Sequence, residues 1–297
     1  YLAGVRVSAP LRRMAAVAAR VDAGELEPRM EPGSGSGEVR VLADAFNHML
    51  DRLTGELKGQ REFIADASHE LRTPITVIRG QLEVLAAQEN PSAADVRSAE
   101  EHVHREITRI SRLVDDLLLL AQAEHNNFLR PGAIDLGPFV VQLWDGISLT
   151  ADRHFELGPV PSGILVADSD RLAQALRNLA GNAIRHTVEG GGLVRLEVEA
   201  TGTDHVRFAV LDDGPGIAPS ERERVFERFH RTDPARSRAD GGAGLGLAIV
   251  RAIAEAHGGE VIAVEPRPGE KGARVELRLP GFRASPSTRR TARAPVV

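Results

Sequence analysis

The sequence predicts a helical first half followed by an α+β sandwich, and three observations carry that reading. From about residue 10 to residue 121, apolar residues recur at alternating steps of three and four, the rhythm of helices that pack along a seam. Gly132, Gly137 and Pro138 then mark a change of texture. Beyond them short apolar runs alternate with helical segments. Arg195, Glu197 and Glu199 interleave with Leu196 and Val198, the period-two pattern of a sheet with one wet face.

Residues 10–57 read as two helices joined by a loop. The first carries Leu11, Met14, Ala18 and Val21, the second Leu42, Phe46, Met49 and Leu53. Between them Glu31-Pro-Gly-Ser-Gly-Ser-Gly37 is too flexible to continue either helix. The heptad rhythm with charged flanks points to coiled-coil packing. The second helix runs on through Leu57, Gln60, Ile64, Ala67 and Leu71, but Leu53 to Leu57 repeats a step of four. That stutter changes the local supercoil, and Gly55 and Gly59 flank it. It reads either as a simple irregularity or as a soft joint.

The seam resumes past Pro74 as Ile75, Ile78, Leu82 and Leu85, and Asn90-Pro91-Ser92 breaks it. A further long helix carries Val103, Ile107, Ile110, Val114, Leu117 and Ala121. A lone two-helix hairpin would leave much of its apolar face wet, so pairing of two chains into a four-helix bundle is expected, hence a homodimer. In the second half, strands are expected over 164–167, 193–200, 206–211, 261–264 and 273–279, and helices near 138–147, 170–186, 219–229 and 245–257. The tail after Phe282 is basic and rich in Ser, Thr and Pro, and is expected to fray over 283–297.

Composition narrows the function classes. The 297 residues suffice for about two or three modest domains. A net charge of -5 argues against a general nucleic-acid binder. The absence of cysteine removes disulfides, thiolate metal sites and thiol nucleophiles. No apolar run approaches the roughly 18 residues of a membrane span. Because the chain starts at Tyr1 rather than methionine, it is expected to be a fragment of a longer protein, so the missing span says little about the parent.

One histidine stands apart, in the run Phe63-Ile-Ala-Asp-Ala-Ser-His-Glu-Leu-Arg-Thr-Pro74. At about 100° per residue, His69 lies roughly 200° from both Ala67 and Leu71, so its imidazole turns away from the seam. Thr73, Thr76 and Gly80 follow on the same face and leave room for another protein. Pro74 lacks the N–H that would bond the Glu70 carbonyl, so the helix either bends there as a hinge or simply kinks or breaks. Glu70 is the nearest carboxylate and can take or hold a ring proton.

The second half holds four further motifs. Asn178 and Asn182 share a helix face, with Arg185 and His186 a turn later and Asp168, Ser169 and Asp170 as candidate N-caps. An amide oxygen suits Mg²⁺ held together with phosphate oxygens. Val210-Leu-Asp-Asp-Gly-Pro-Gly-Ile217 reads as a strand ending in a turn, where Asp212 can accept the amine of adenine. Val225-Phe-Glu-Arg-Phe-His-Arg231 precedes a polar stretch, 232–240. Gly241-Gly-Ala-Gly-Leu-Gly-Leu247 opens an apolar helix, where backbone N–H groups favour phosphate. Neither the dinucleotide fingerprint nor the P-loop spacing is met.

Together, in this order and with these spacings, the His69 segment and these motifs resemble the acceptor, N, G1, F and G2 boxes of sensor histidine kinases over residues 60–260. Residues 8–57 resemble a HAMP relay module, though any small helical hairpin shares that pattern. The resemblance implies a HAMP-like module at 1–57, a dimerisation and histidine-phosphotransfer hairpin at 58–130, and a Bergerat-type ATP-binding α/β sandwich at 133–282. It implies ATP and Mg²⁺ as cofactors, His69 as phosphate acceptor, Glu70 as base, and Thr73 as the residue positioning water for dephosphorylation of the partner.

For the nucleotide it implies contacts from Asn178, Asn182, Arg185, His186, Asp212, Gly214, Gly216, Ile217, Phe229, Arg231, Gly242, Gly244, Leu245, Gly246 and Leu247. Asn182 becomes the metal ligand and Asp212 the adenine reader, and Arg231, Arg236 and Arg238 become neutralisers of transferred charge. The partner is a response-regulator aspartate. The light Ala180-Gly181 pair departs from the family's bulkier residues. A nucleotide-binding scaffold and a plain ATPase of the same superfamily are the competing readings, and neither needs a solvent-facing His-Glu pair.

Overall fold

The structure is a computed structural model that describes residues 12, 15–17, 19–20, 29–30, 37–123, 128–231 and 243–285. Leu11, Met14, Ala18 and Val21 of the first expected helix, the 232–240 stretch with Arg236 and Arg238, Gly242, and the tail beyond Ser285 lie outside the described residues. The chain divides into two units, Tyr1–His69 and Glu70–Val297.

In the first unit, the helix α1 (Gly37–Ala86) begins and runs through to the second, with Pro74 inside it. The helix continues across Pro74, so the chain does not break there. Ala43 and Leu50, seven residues apart, are buried with Met30. The Asn47 amide reads the Met30 backbone twice: Oδ1 accepts from its N–H at 2.8 Å and Nδ2 donates to its carbonyl at 3.0 Å. Arg29 pairs with Asp51 at 2.7 Å. The expected seam residues Leu42, Met49, Leu53 and Ile64 are exposed instead. An alanine Cβ at Gly55 or Gly59 would meet nothing within 4 Å.

The second unit opens with the rest of α1 and with α2 (Ala93–Ala123). A reciprocal cap starts α2: Asp95 accepts from the Ser92 N–H at 3.0 Å, and the Ser92 hydroxyl accepts from the Asp95 N–H at 3.2 Å. Leu113, Leu119 and Leu120 are buried. Ile75, Leu82, Ile107, Val114 and Leu118 stay exposed, an apolar face of the kind a bundle partner covers.

The sandwich comprises β1 (Gly132–Asp135), α3 (Leu136–Ser148), β2 (His154–Leu157), β3 (Gly163–Ala167), α4 (Ser169–His186), β4 (Leu193–Thr201), β5 (His205–Asp212), α5 (Gly246–Ala256), β6 (Glu260–Val264), β7 (Arg274–Pro280) and β8 (Phe282–Ala284). The main sheet has the order β2-β4-β5-β7-β6, with β2 parallel to β4 and the other neighbours antiparallel. A smaller antiparallel sheet has the order β1-β3-β8. Val194, Leu196 and Val198 alternate inward and pack with Phe208, Leu277 and the apolar stripes of α4 and α5.

The opposite face is charged, as the alternation predicts. Arg274, 2% exposed, bridges Glu197 and Glu276 at 3.0 Å each, and Arg278 joins Glu276 to Glu260 at 2.9 Å. Burying one member of such a lattice is tolerable only because its partners remain.

Two expectations are corrected. The single helix expected over 219–229 is two short 3₁₀ turns, Pro219–Glu221 and Arg224–Phe226. Phe226 is buried and packs towards α5, and Phe229 takes φ +61°, which ends helical continuation. The tail does not fray from 283: Phe282–Ala284 pairs with Gly163–Leu165 as β8. The short strands β1 and β2 escaped the pattern because four residues are too few for a clear alternation.

Asp168 ties three elements together. Its Oδ1 caps α4 by accepting from the Asp170 and Arg171 N–H groups at 3.0 and 3.1 Å, and its Oδ2 accepts from the Arg130 N–H at 2.7 Å. Its own N–H donates to His257 Nε2, just past α5, at 3.0 Å. His257 Nδ1 then faces the Ile253 carbonyl at 2.8 Å, which fixes the proton on Nδ1. Burial opposes the carboxylate's charge, but the three backbone donors outweigh it and lower the pKa. Next to it, the Arg171 guanidinium covers buried Phe128 at 4.6 Å.

Candidate active site

One cavity of the sandwich is lined by residues from four separate motifs. Asn182, Arg185 and His186 come from the last turns of α4, and Asp212, Pro215, Gly216 and Ile217 from the end of β5 and its turn. Val225, His230 and Arg231 come from the segment after the 3₁₀ turns, Gly244 and Leu247 from the start of α5, and Ala273 from the approach to β7. The hydrophobic stripe Leu172, Leu176, Leu179 and Ala183 seats α4 in the core, and that phase turns Asn182 outward into the cavity.

Asp212 is 6% exposed and organises the turn that follows it. Its Oδ1 accepts from the Gly214 N–H at 2.9 Å and the Ala273 N–H at 3.1 Å, so Oδ2 takes neither bond. Burial raises its pKa, opposed by those two N–H groups and by His186. Gly214 passes so close to α4 that an added Cβ would lie 2.5 Å from the His186 carbonyl oxygen. Gly216 sits at φ +80° against Gly272.

Gly244, at φ +73°, allows the α5 loop to lie on Phe229 and His230; a Cβ there would be 2.9 Å from the His230 carbonyl oxygen. The Phe229 N–H donates to the Gly244 carbonyl at 3.1 Å, which holds Phe229 in its left-handed conformation. The helix α5 starts at Gly246 with no side-chain cap, so its first amides remain donors for an anion.

Several expected residues play other parts. Leu245 is 1% exposed and anchors the start of α5 in the core. Asn178 does not line the cavity; its Nδ2 is buried without a partner, and a Cβ added at Gly246 would lie 3.9 Å from its Cγ. Gly214 and Phe229 shape the walls through their backbones. Pro215, Val225, His230, Gly272 and Ala273 were not singled out. The histidine had a readable signal, since it stands inside the aromatic-basic run; its Nε2 meets Glu221 Oε2 at 2.6 Å. Gly272 and Ala273 had none, because they reach the site only through β5–β7 pairing.

The donor set fits a divalent cation shared with phosphate. Among the described residues no three His, Cys, Asp or Glu side chains form a metal cluster. Asn182 offers one amide oxygen, which Arg185 approaches at 3.5 Å. A single hard ligand suits Mg²⁺ that brings its other ligands from phosphate and water.

His69 is exposed, as its helical phase predicts, and so are Thr73 and Thr76. Within the second unit, Glu70 Oε2 lies 3.9 Å from Arg109 of α2 and Oε1 lies 3.6 Å from Arg231. Burial and Asp115 push the Asp116 carboxyl on α2 up to about 6, against the pull of Arg112 and of Arg185 on α4.

Three family models match the chain. They are the HAMP domain over residues 3–55, the His Kinase A (phospho-acceptor) domain over 59–126, and the histidine kinase-, DNA gyrase B- and HSP90-like ATPase over 167–282. The probable sensor histidine kinase TcrY of Mycobacterium tuberculosis is 39% identical over 96% of this chain and 63% of its own length. The sensor histidine kinase CusS of Escherichia coli is 35% identical over 92% of this chain and 56% of its own length. The signal transduction histidine-protein kinase/phosphatase MprB of Mycolicibacterium smegmatis is 35% identical over 95% and 57%.

The chain thus spans about three-fifths of the length of the curated relatives it matches. Among solved structures, the Acinetobacter baumannii histidine kinase AdeS superposes with a TM-score of 0.54 at 26% identity, covering 72% of this chain and 98% of that one. Full-length ShkA in complex with AMPPNP gives 0.53 at 29%, covering 76% and 46%.

Proposed function

This chain belongs to the sensor histidine kinases of two-component systems, and on that footing we propose that it moves the γ-phosphoryl group of ATP to His69 and then to an aspartate of a response regulator. The observation that carries the reading is the convergence of Asn182, Asp212, Gly216, Arg231 and Gly244 on one cavity. Asp212 Oδ2 accepts the adenine amine, and the amides at Gly244 and the start of α5 hold the phosphates. Mg²⁺, when bound, neutralises phosphate charge, and Asn182 Oδ1 is its ligand from this chain. A His69 ring nitrogen attacks phosphorus in line as the bond to ADP breaks, and Glu70 takes the proton from the other ring nitrogen.

The exposed apolar face along Ile75, Leu82, Ile107 and Leu118 is the surface of a homodimer. The regulator docks along Thr73, Thr76 and Gly80. Among the described residues no helix is long and apolar enough to cross a membrane. The HAMP-like module fits a cytoplasmic part joined to a membrane anchor upstream of Tyr1.

Labelled ATP tests the reaction. Acid-labile, alkali-stable label should appear in the parent, vanish in His69→Gln, and vanish in Asn182→Ala while the dimer persists. A folded parent that takes up no label identifies a scaffold. Free phosphate released equally by His69→Gln identifies an ATPase. Full labelling of Asn182→Ala removes the metal assignment. Thr73 serves the opposing hydrolysis by positioning water on the phospho-aspartate, which breaks the acyl phosphate to carboxylate and inorganic phosphate. Thr73→Ala should autophosphorylate normally but leave the phospho-regulator long-lived, and equal decay with both proteins rules that role out.

A further inference from the structure

Glu70 stands in a row of alternating charges, Glu106, Arg109, Glu70 and Arg231. Along α2, Arg109 Nη1 lies 3.9 Å from Glu106 Oε2, one turn earlier. Across the hairpin, Arg109 Nη2 lies 3.9 Å from Glu70 Oε2 on α1, and Glu70 Oε1 lies 3.6 Å from Arg231. The three hairpin side chains are 20% to 26% exposed, so water screens the row only in part. Glu106 Oε2 is buried and accepts no hydrogen bond from the described residues, so Arg109 answers its charge and is held by it.

The two cations facing Glu70 differ in what carries them. Arg231 lines the nucleotide cavity of the sandwich, whereas Arg109 belongs to the same hairpin as Glu70. Arg109 therefore keeps its place beside Glu70 whichever position the sandwich takes. We propose that Arg109 is the positioning residue of the base: it anchors Glu70 through Oε2 and leaves Oε1 to take the proton of His69, with Glu106 bracing the guanidinium from behind. The proposal rests on the kinase reading of His69 and Glu70 and adds the group that holds the base.

The step balances as follows. One His69 ring nitrogen bonds to phosphorus while ADP leaves with the electron pair of the broken P–O bond. The proton on the other ring nitrogen passes to Glu70 Oε1, and Glu70 returns it to solvent. Neighbouring side chains on a helix diverge by about 100°, so an unheld carboxylate has many rotamers that miss the ring. A planar guanidinium on one oxygen narrows that choice before the reaction begins.

The test is a double-mutant cycle on His69 labelling by the whole chain with Mg·ATP. Arg109→Met should lower the maximal rate about tenfold and leave the ATP concentration of half-maximal rate unchanged, as expected for a displaced general base. Arg109→Lys, which keeps a cation at the site, should stay within about threefold of the parent. Glu70→Gln should label about a hundredfold more slowly. In that background Arg109→Met should cost nothing further, because its effect passes through the carboxylate. If Arg109→Met does not fold, Glu106→Gln asks the same question, with about a threefold loss in the parent and none in Glu70→Gln. An equal loss in both backgrounds, or no loss in either, overturns the positioning role and leaves the kinase reading standing. A folded parent that takes up no label overturns both.

Discussion

Gly272→Ala should abolish nucleotide binding and unfold the sandwich at a markedly lower temperature. Gly272 has φ +84°, and a Cβ built on it would lie 1.9 Å from the Asp212 carbonyl oxygen and 2.8 Å from the Gly214 nitrogen. Both are backbone atoms, so no side-chain rotation relieves the clash. The ends of β5 and β7 must separate. That breaks the Asp212 N–H bond to the Ala273 carbonyl at 3.0 Å and the Ala273 N–H bond to Asp212 Oδ1 at 3.1 Å. Left-handed strain and overpacking each cost about 1–3 kcal/mol. Together they predict a fall in Tm on the order of 10 °C for a domain of this size. Thermal melting and AMPPNP titration check this; a variant that melts with the parent and binds nucleotide normally would refute the role given to this glycine.

Asp212→Asn should do the reverse, keeping the fold and losing the ligand. The amide oxygen can still accept from Gly214 and Ala273, the two donors that Oδ1 serves now. The new NH₂ group replaces Oδ2 and meets the adenine amine donor to donor, which predicts roughly a hundredfold loss of affinity. Stability moves with pH in a defined sense. Burial raises the Asp212 pKa above 3.8, so the folded protein holds this proton more tightly than the unfolded chain does. The stability it contributes is full below pH 3.8 and is lost as pH rises through the folded pKa. Asparagine removes that loss, so the variant should melt no lower than the parent at neutral pH, with the gap between them changing on acidification. Tight adenine-nucleotide binding by Asp212→Asn would dismiss Asp212 as the adenine reader.

What the sequence revealed and what it hid follow from range. The α4 stripe and the alternation of β4 are local periodicities, so the phase of Asn182 and the wet face of the sheet could be read directly. Gly214, Gly216 and Gly244 announced themselves as glycines in turns. The contribution of Gly272 arises from antiparallel pairing with a strand some sixty residues away, and no local pattern encodes that. The expected helix at 219–229 misread a helix-like rhythm, because the bond from Phe229 to Gly244 overrides it. The pairing of Glu70 with Arg231 was equally invisible, since it joins residues far apart in sequence that only the tertiary fold brings together.

The bonds of Asp168 make the sandwich mechanically rigid at the place where force enters it. The chain arriving from the hairpin is fastened at Arg130, the helix bearing Asn182 at its first turn, and the end of α5 at His257, all to one residue. A pull on Arg130 is therefore delivered at once to both helices that border the cavity, without first stretching the gap between them.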